Sequence, residues 1–352
     1  PERMVRANVR ATVVGFAAAT VVFAVLFTFA GVDDLLATLR AADTRAVALV
    51  VVATVGWLLA WAVSLHTVLG VLGVGCSYPS AFLLFSGATF ANNVTPFGQA
   101  GGEPITAFLI SRVTDAEYER GLAAIASVDT LNFVPSITIA LLGAGYFATE
   151  VALGANRNLL VAVGGVVALA ILVPSSVYLG WRRRYGLEAR IVSGVTPIIR
   201  GLGRRLPRVS APTPDGIEAR IDNFFRAIER VADNPRGLAI ALGASTAGWL
   251  CQTAALWVAF EAIGVSVPVS VVFVVVPIGA IAGVTPLPGG AGGIETVLVV
   301  LLLAAPLPQV TQAAAVAAVV VFRGAVYWLP VLIGGGVVAW IGAGVGFRAD
   351  PE

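Results

Sequence analysis

The sequence predicts an all-α polytopic membrane protein built from two inverted repeats, each with three spanning helices and one re-entrant helical hairpin. Three observations carry that prediction. First, the 352 residues are 58% hydrophobic and 12% charged, with a mean hydropathy of +0.91, far too apolar for a soluble domain of this size. Second, the apolar residues come in runs of about 20 or more, the length that crosses a hydrocarbon core of about 30 Å as helix. They lack the period-two alternation of barrel strands, and only helices or closed barrels satisfy the backbone in lipid. Third, a polar, glycine-rich stretch occurs twice.

Val94-Thr95-Pro96-Phe97-Gly98-Gln99-Ala100-Gly101-Gly102-Glu103 is echoed by Val284-Thr285-Pro286-Leu287-Pro288-Gly289-Gly290-Ala291-Gly292-Gly293-Ile294-Glu295. Both read Val-Thr-Pro, then Ala-Gly-Gly, then Glu, at offsets of 190 and 191 residues. The echo continues downstream. Ala123-Ala124-Ile125-Ala126-Ser127-Val128 leads to Asp129, and Ala317-Ala318-Val319-Val320-Val321-Phe322 leads to Arg323, with Pro135 and Pro330 beyond them. An acid and a base inside long apolar segments thus take corresponding places in the two halves.

The first repeat covers 1–157. Its first span, 11–30, follows Arg3, Arg6 and Arg10, and a loop holding Asp33, Asp34, Arg40, Asp43 and Arg45 leads to the second, 46–75. The next apolar run, 81–90, is only about ten residues long, and at 1.5 Å per residue it reaches about halfway across the core. The polar stretch follows, an apolar run resumes at 105–110, and the charged segment Arg112 to Arg120 ends it. Residues 81–110 therefore read as a hairpin that enters, turns at mid-depth and leaves on the same side. The third span is 121–147.

The second repeat covers 158–352: a span at 159–180, a polar segment at 181–236, a span at 237–264, a hairpin at 267–305 and a last span at 313–346. Pro330 is the expected kink of that last span. The polar segment holds 12 Arg against six acids. Within it Ile217, Ile221, Phe224, Phe225, Ile228 and Val231 recur at helical spacing opposite charged residues. That pattern fits a helix lying in the plane of the membrane surface, or a linker helix packed on the protein itself.

Arginine placement orients the chain in a cell membrane with both termini cytoplasmic. The segments then assigned to the cytoplasm hold 18 Arg and the outer loops three, as the positive-inside rule requires. An odd number of spans per half turns the second half upside down, so the hairpins enter from opposite faces. Broken helices meeting near mid-membrane are where transport sites are built. All 22 basic residues are Arg, which reads as lineage bias. Cys76 and Cys251 lie in or beside apolar segments and make no disulfide framework. The first apolar run lacks a cleavage site and reads as a retained span. No nucleotide-binding, Cys/His metal or catalytic-triad spacing occurs, so no cofactor, metal, nucleic acid or bound ATP is expected.

Irregular backbone at membrane depth is tolerated only where protein buries it or a wet cavity receives it. Gly101, Gly102, Gly289, Gly290, Gly292 and Gly293 let backbone come close and turn N–H groups toward a ligand, or they simply pack the hairpins. Pro96, Pro286 and Pro288 frame the two loops. Glu103 and Glu295 fall at or near the starts of the returning half-helices, whose positive ends favour a carboxylate or a phosphate. Asp129 and Arg323 would each cost about 2.5–3.5 kcal/mol if left unpaired in the membrane. Either they pair with each other, or Arg323 holds a lipid phosphate through its bidentate donors while Asp129 handles a proton or cation. Asn92, Asn93, Thr95, Gln99, Asn132, Thr285 and Tyr327 offer neutral hydrogen bonds to a head group. His66 reads as a packed, neutral histidine.

These residues resemble the lysylphosphatidylglycerol synthase transmembrane-region family, the flippase-like membrane proteins of bacteria and archaea. The resemblance rests on Asn93-Val94-Thr95-Pro96 with Gly101-Gly102-Glu103, on Asp129, on the run Pro286 to Glu295, and on Arg323 with Tyr327, and it spans nearly the whole chain. It implies movement of a lipid across the membrane: an aminoacylated phosphatidylglycerol or another anionic phospholipid, or a polyprenyl- or dolichyl-phosphate-linked sugar. The family's aminoacyl transfer belongs to a large soluble C-terminal domain, and with this sequence ending at Glu352 that activity is expected to be absent. Where the family carries a charged pair before its aspartate, Ile125-Ala126 stands here. The expectation is a lipid translocator, with an ion-coupled transporter of a small solute or a membrane subunit of a lipid-modifying enzyme as rivals; a homo-oligomer stays open.

Overall fold

A computed structural model describes residues 17–95, 99–114, 116–151, 226–285 and 287–346. The expected span at 159–180, most of the arginine-rich segment, Pro96 and Pro286 lie outside the described residues. Every regular element among those described is helical: α1 (Ala17–Ala30), α2 (Val32–Arg40), α3 (Thr44–Val71), α4 (Tyr78–Val94), α5 (Gln99–Thr114), α6 (Tyr118–Val151), α7 (226–232), α8 (Pro235–Ala262), α9 (Val269–Ile281), α10 (Gly293–Ala304) and α11 (Gln312–Gly346). Four of them, α3, α6, α8 and α11, are long and apolar enough to cross a membrane, and five spans result if the bent pair α1–α2 is one.

That pair corrects one expectation. The charged stretch after the first span is a helix, turned by 88° from α1 at Gly31. Asp33 and Asp34 occupy its first turn and Arg40 its last, so each charge sits at the dipole end that favours it, and Leu35 anchors it in the core. Asp43 then caps α3 by accepting from the Arg45 N–H at 2.9 Å. Its own N–H donates to the Ala262 carbonyl at 2.8 Å, tying the start of α3 to the end of α8.

The segments expected as half-depth hairpins are helix pairs. Ser77 caps α4, and α4 runs on through Asn92 and Asn93 for 17 residues, about 25 Å at the helical rise and more than the half-crossing expected. The second pair is shorter, 13 and 12 residues, because the stretch between Ile281 and Gly293 interrupts the ladder with two single-turn 3₁₀ segments. Both Pro135 and Pro330 lie inside continuous helices, α6 and α11.

The most extensive helix contacts all cross between the halves of the sequence: α3 on α8, α4 on α11, and α6 on α9. Small residues bring these backbones together, as in other membrane helix pairs. A β-carbon on Gly334 of α11 would collide with the Ser86 carbonyl of α4, and one on Gly143 of α6 would lie 2.6 Å from Phe273 of α9. Trp57, Trp61, Phe85 and Trp249 fill the centre edge-to-face, with Trp61 5.7 Å from Trp249. Two of the indoles have partners for their N–H groups: Trp61 donates to the Ser245 carbonyl at 3.2 Å and Trp249 to the Asn132 carbonyl at 2.9 Å. Leu332 and Trp340 point outward from α11, as lipid-facing residues do. Of the amphipathic stretch before α8, the described part, α7, packs Ala227 and Val231 into the main core, so it rests on the protein.

Candidate functional site

The break between α9 and α10 is held in shape by one arginine. Gly289, Gly290 and Gly292 take φ of 58°, 65° and 86°, the left-handed region that side chains disfavour. Gly289 also lacks room: a β-carbon there would sit 2.7 Å from the Tyr327 ring and 2.9 Å from Asn93 Cα. At the third position of α10, Glu295 reaches back, its Oε2 accepting from the Gly292 N–H at 2.6 Å. Its Oε1 accepts from Arg323 Nε at 2.7 Å. Arg323 Nη2 donates to the Gly289 carbonyl at 3.2 Å, and the guanidinium lies 5.4 Å from the centre of the Tyr327 ring. Arg323 thus ties the loop at Gly289 to the first turn of α10. Glu295 is 2% exposed and Arg323 8%.

The first half meets this loop through α4. Asn93 Nδ2 donates to the Tyr327 carbonyl at 3.2 Å, and the Tyr327 hydroxyl donates to the Asn93 carbonyl at 3.0 Å. The neighbouring Asn92 lies against Gly102 of α5. One residue on, the carboxyl of Glu103 lies beside that of Asp129 of α6.

Asp129 and Arg323 do not pair: Arg323 binds Glu295 of its own half, and Asp129 lies beside Glu103. The corresponding positions carry Glu103 with Asp129 and Glu295 with Arg323, so the second half is neutralised by its arginine, whereas among the described residues the first has no cation. Asp129 Oδ2, Asn92 Oδ1 and Thr285 Oγ1 are buried with no hydrogen-bond partner.

Other expected residues are placed as follows. Thr285 lies against Gly293, Gly290 packs on Gly283 and Ile294, and Gly292 packs on Val22 of α1. Pro288 is buried beside them. Thr95 donates to the Ala91 carbonyl at 2.6 Å, at the end of α4. Gln99 begins α5 and Gly101 lies within it. Glu103 is thus a full turn inside that helix. Asn132 is committed elsewhere, accepting from the Ser245 hydroxyl between α6 and α8. His66 stacks on Tyr78 at 3.9 Å, packed as expected. Residue spacing gave no sign of Val22 at the loop or of the Asn93–Tyr327 exchange. The carboxyl pair was visible in principle, as the first-half counterpart of Glu295 and Arg323. Among the described residues no group of three or more His, Cys, Asp or Glu side chains is placed to hold a metal.

Apolar helices of membrane-crossing length and a buried arginine–glutamate clamp at a helix break define a multi-pass helical membrane protein. The chain belongs to the lysylphosphatidylglycerol synthase TM region family, which matches residues 12–334. It is 30% identical over 336 residues to a UPF0104 membrane protein of Methanothermobacter thermautotrophicus, covering 94% of this chain and 93% of that one. A UPF0104 membrane protein of Pyrococcus horikoshii is 24% identical over 319 residues, covering 88% and 91%. A second one from Methanothermobacter thermautotrophicus is 23% identical over 260 residues, covering 72% and 73%.

Proposed function

We propose that this protein is a lipid translocator of the cell membrane, with both termini cytoplasmic, that carries an anionic phospholipid or a lipid-linked phosphate sugar across the bilayer. The observation that carries this reading is Arg323: buried at a broken helix, it donates two of its N–H groups to Glu295 and Gly289 and has no partner for the others among the described residues. A guanidinium with donors left over binds phosphate well. Glu295 holds Arg323 in place and competes with the arriving phosphate, so that binding rearranges the loop.

In this reading the halves are inverted repeats, and the cross-half contacts of α4 with α11 and of α6 with α9 are where they rock to expose the site to either face. Glu103 and Asp129 carry the proton or cation that drives the cycle, at the place where the second half has its fixed charge. No head-group chemistry is assigned to the chain. The test is lipid transfer in proteoliposomes. Arg323→Ala and Glu295→Gln are each expected to abolish it, and unchanged transfer in both would sink the proposal.

The carboxyl pair favours one rival, an ion-coupled transporter of a small solute. Solute uptake that depends on Asp129, without lipid transfer, would establish it instead.

A further inference from the structure

After the 88° turn at Gly31, α2 either runs on through the membrane or lies along its surface, and three observations put it at the surface. The first is depth. Three residues beyond Arg40, Asp43 caps α3 and donates its N–H to the carbonyl of Ala262, the last residue of α8. So α2 ends where one membrane-length helix starts and another stops, which is the head-group level. The second is charge. Asp33, Asp34 and Arg40 are all exposed, a state that hydrocarbon penalises and water does not.

The third is the shape of the apolar face. At 3.6 residues per turn Leu35, Leu39, Val32 and Leu36 fall within about 100° of the helix circumference, and the three charges fall outside that arc. Protein covers half of the arc: Leu35 is 2% exposed and Leu39 packs against the main core. The other half is bare, with Val32 46% and Leu36 41% exposed. It begins three residues beyond Phe29, the end of a stripe of Val21, Val25 and Phe29 that α1 exposes at four-residue spacing. That stripe faces lipid where α1 crosses the membrane, and the bare half of α2 continues it.

We propose that α2 lies in the plane of the membrane surface, with Val32 and Leu36 seated at the boundary of head groups and acyl chains and the charged side in water. A helix with one apolar and one charged face binds a bilayer in this way. The occupant of the bare half-face is lipid, and the inference stands whether or not the protein moves a lipid. It bears on the Arg323 loop all the same: α1 lays Val22 against Gly292, so what seats α2 also seats the helix beside that loop. The test is spin-label accessibility in the full chain, with Cys76→Ser and Cys251→Ser as background, in vesicles of phosphatidylcholine and phosphatidylglycerol. Labels enter one at a time through Val32→Cys, Leu36→Cys and Ala37→Cys, all at exposed positions. Apolar oxygen should collide more often than a water-soluble nickel chelate at both 32 and 36, and the order should reverse at 37. Nickel ahead at either 32 or 36 overturns the proposal by placing the face in water. Oxygen ahead at all three overturns it by sinking the whole helix into the membrane. Rare collisions with both probes at 32 and 36 overturn it as well, because a second copy or another segment of the chain then covers the face.

Discussion

Asn93 and Tyr327 each donate a side-chain hydrogen bond to the other's backbone carbonyl, at 3.2 and 3.0 Å, across 234 positions of sequence. Asn93 stands at the end of α4, where the last helical carbonyls have no partner within the helix. The tyrosine hydroxyl supplies one and pins the end of α4 to α11. Tyr327→Phe keeps the ring and removes that bond. Unfolding in bicelles should show a loss of about 0.6–1.7 kcal/mol, the range of interhelical hydrogen bonds in membranes. No loss would mean that water replaces the hydroxyl.

Arg323 and Glu295 should be strongly non-additive. Removing either partner leaves the other charge buried, at a cost of about 3–5 kcal/mol. The double substitution Arg323→Met with Glu295→Met removes both charges and should unfold at milder cost than Arg323→Met alone. A double variant as unstable as the sum of the single ones would show that the two do not interact.

Gly289→Ala meets both a left-handed backbone and a crowded Tyr327 ring, and should destabilise by about 1–3 kcal/mol. Gly283→Ala is the control, since a β-carbon there makes only an ordinary contact with Ile294 at 3.6 Å. Thermal unfolding of the two variants side by side decides; equal midpoints would refute the steric account.

Asp129→Asn removes one member of the carboxyl pair and needs no repacking. If the pair carries the driving ion, transport under an imposed proton or sodium gradient should fall to its undriven rate while the protein still elutes as folded. Retained gradient dependence would assign the coupling to another group.

The spans were legible because a run of about 20 apolar residues has few other uses, and the repeat because both loops kept Val-Thr-Pro and Ala-Gly-Gly. The helix α2 was hidden by its charge: Asp33, Asp34 and Arg40 look like loop residues until their places at the helix ends are known. Asn92 and Asn93 were read as hydrogen-bond partners of a head group; both are helical, and Asn93 is spent on Tyr327, far away in sequence. The same gap explains the charges. Spacing placed Asp129 and Arg323 at corresponding positions, but which glutamate each would meet depends on helix packing, which no spacing within one helix records.

The contacts of α4 with α11 and of α6 with α9 also impose an order on biosynthesis. Neither half can finish its own interior. During translation α4 and α5 enter the bilayer with Asn93 still waiting for Tyr327, and the helix that meets it follows 234 positions later. Until α11 is inserted, the nascent chain shows its neighbours in the membrane a polar seam that the finished protein hides.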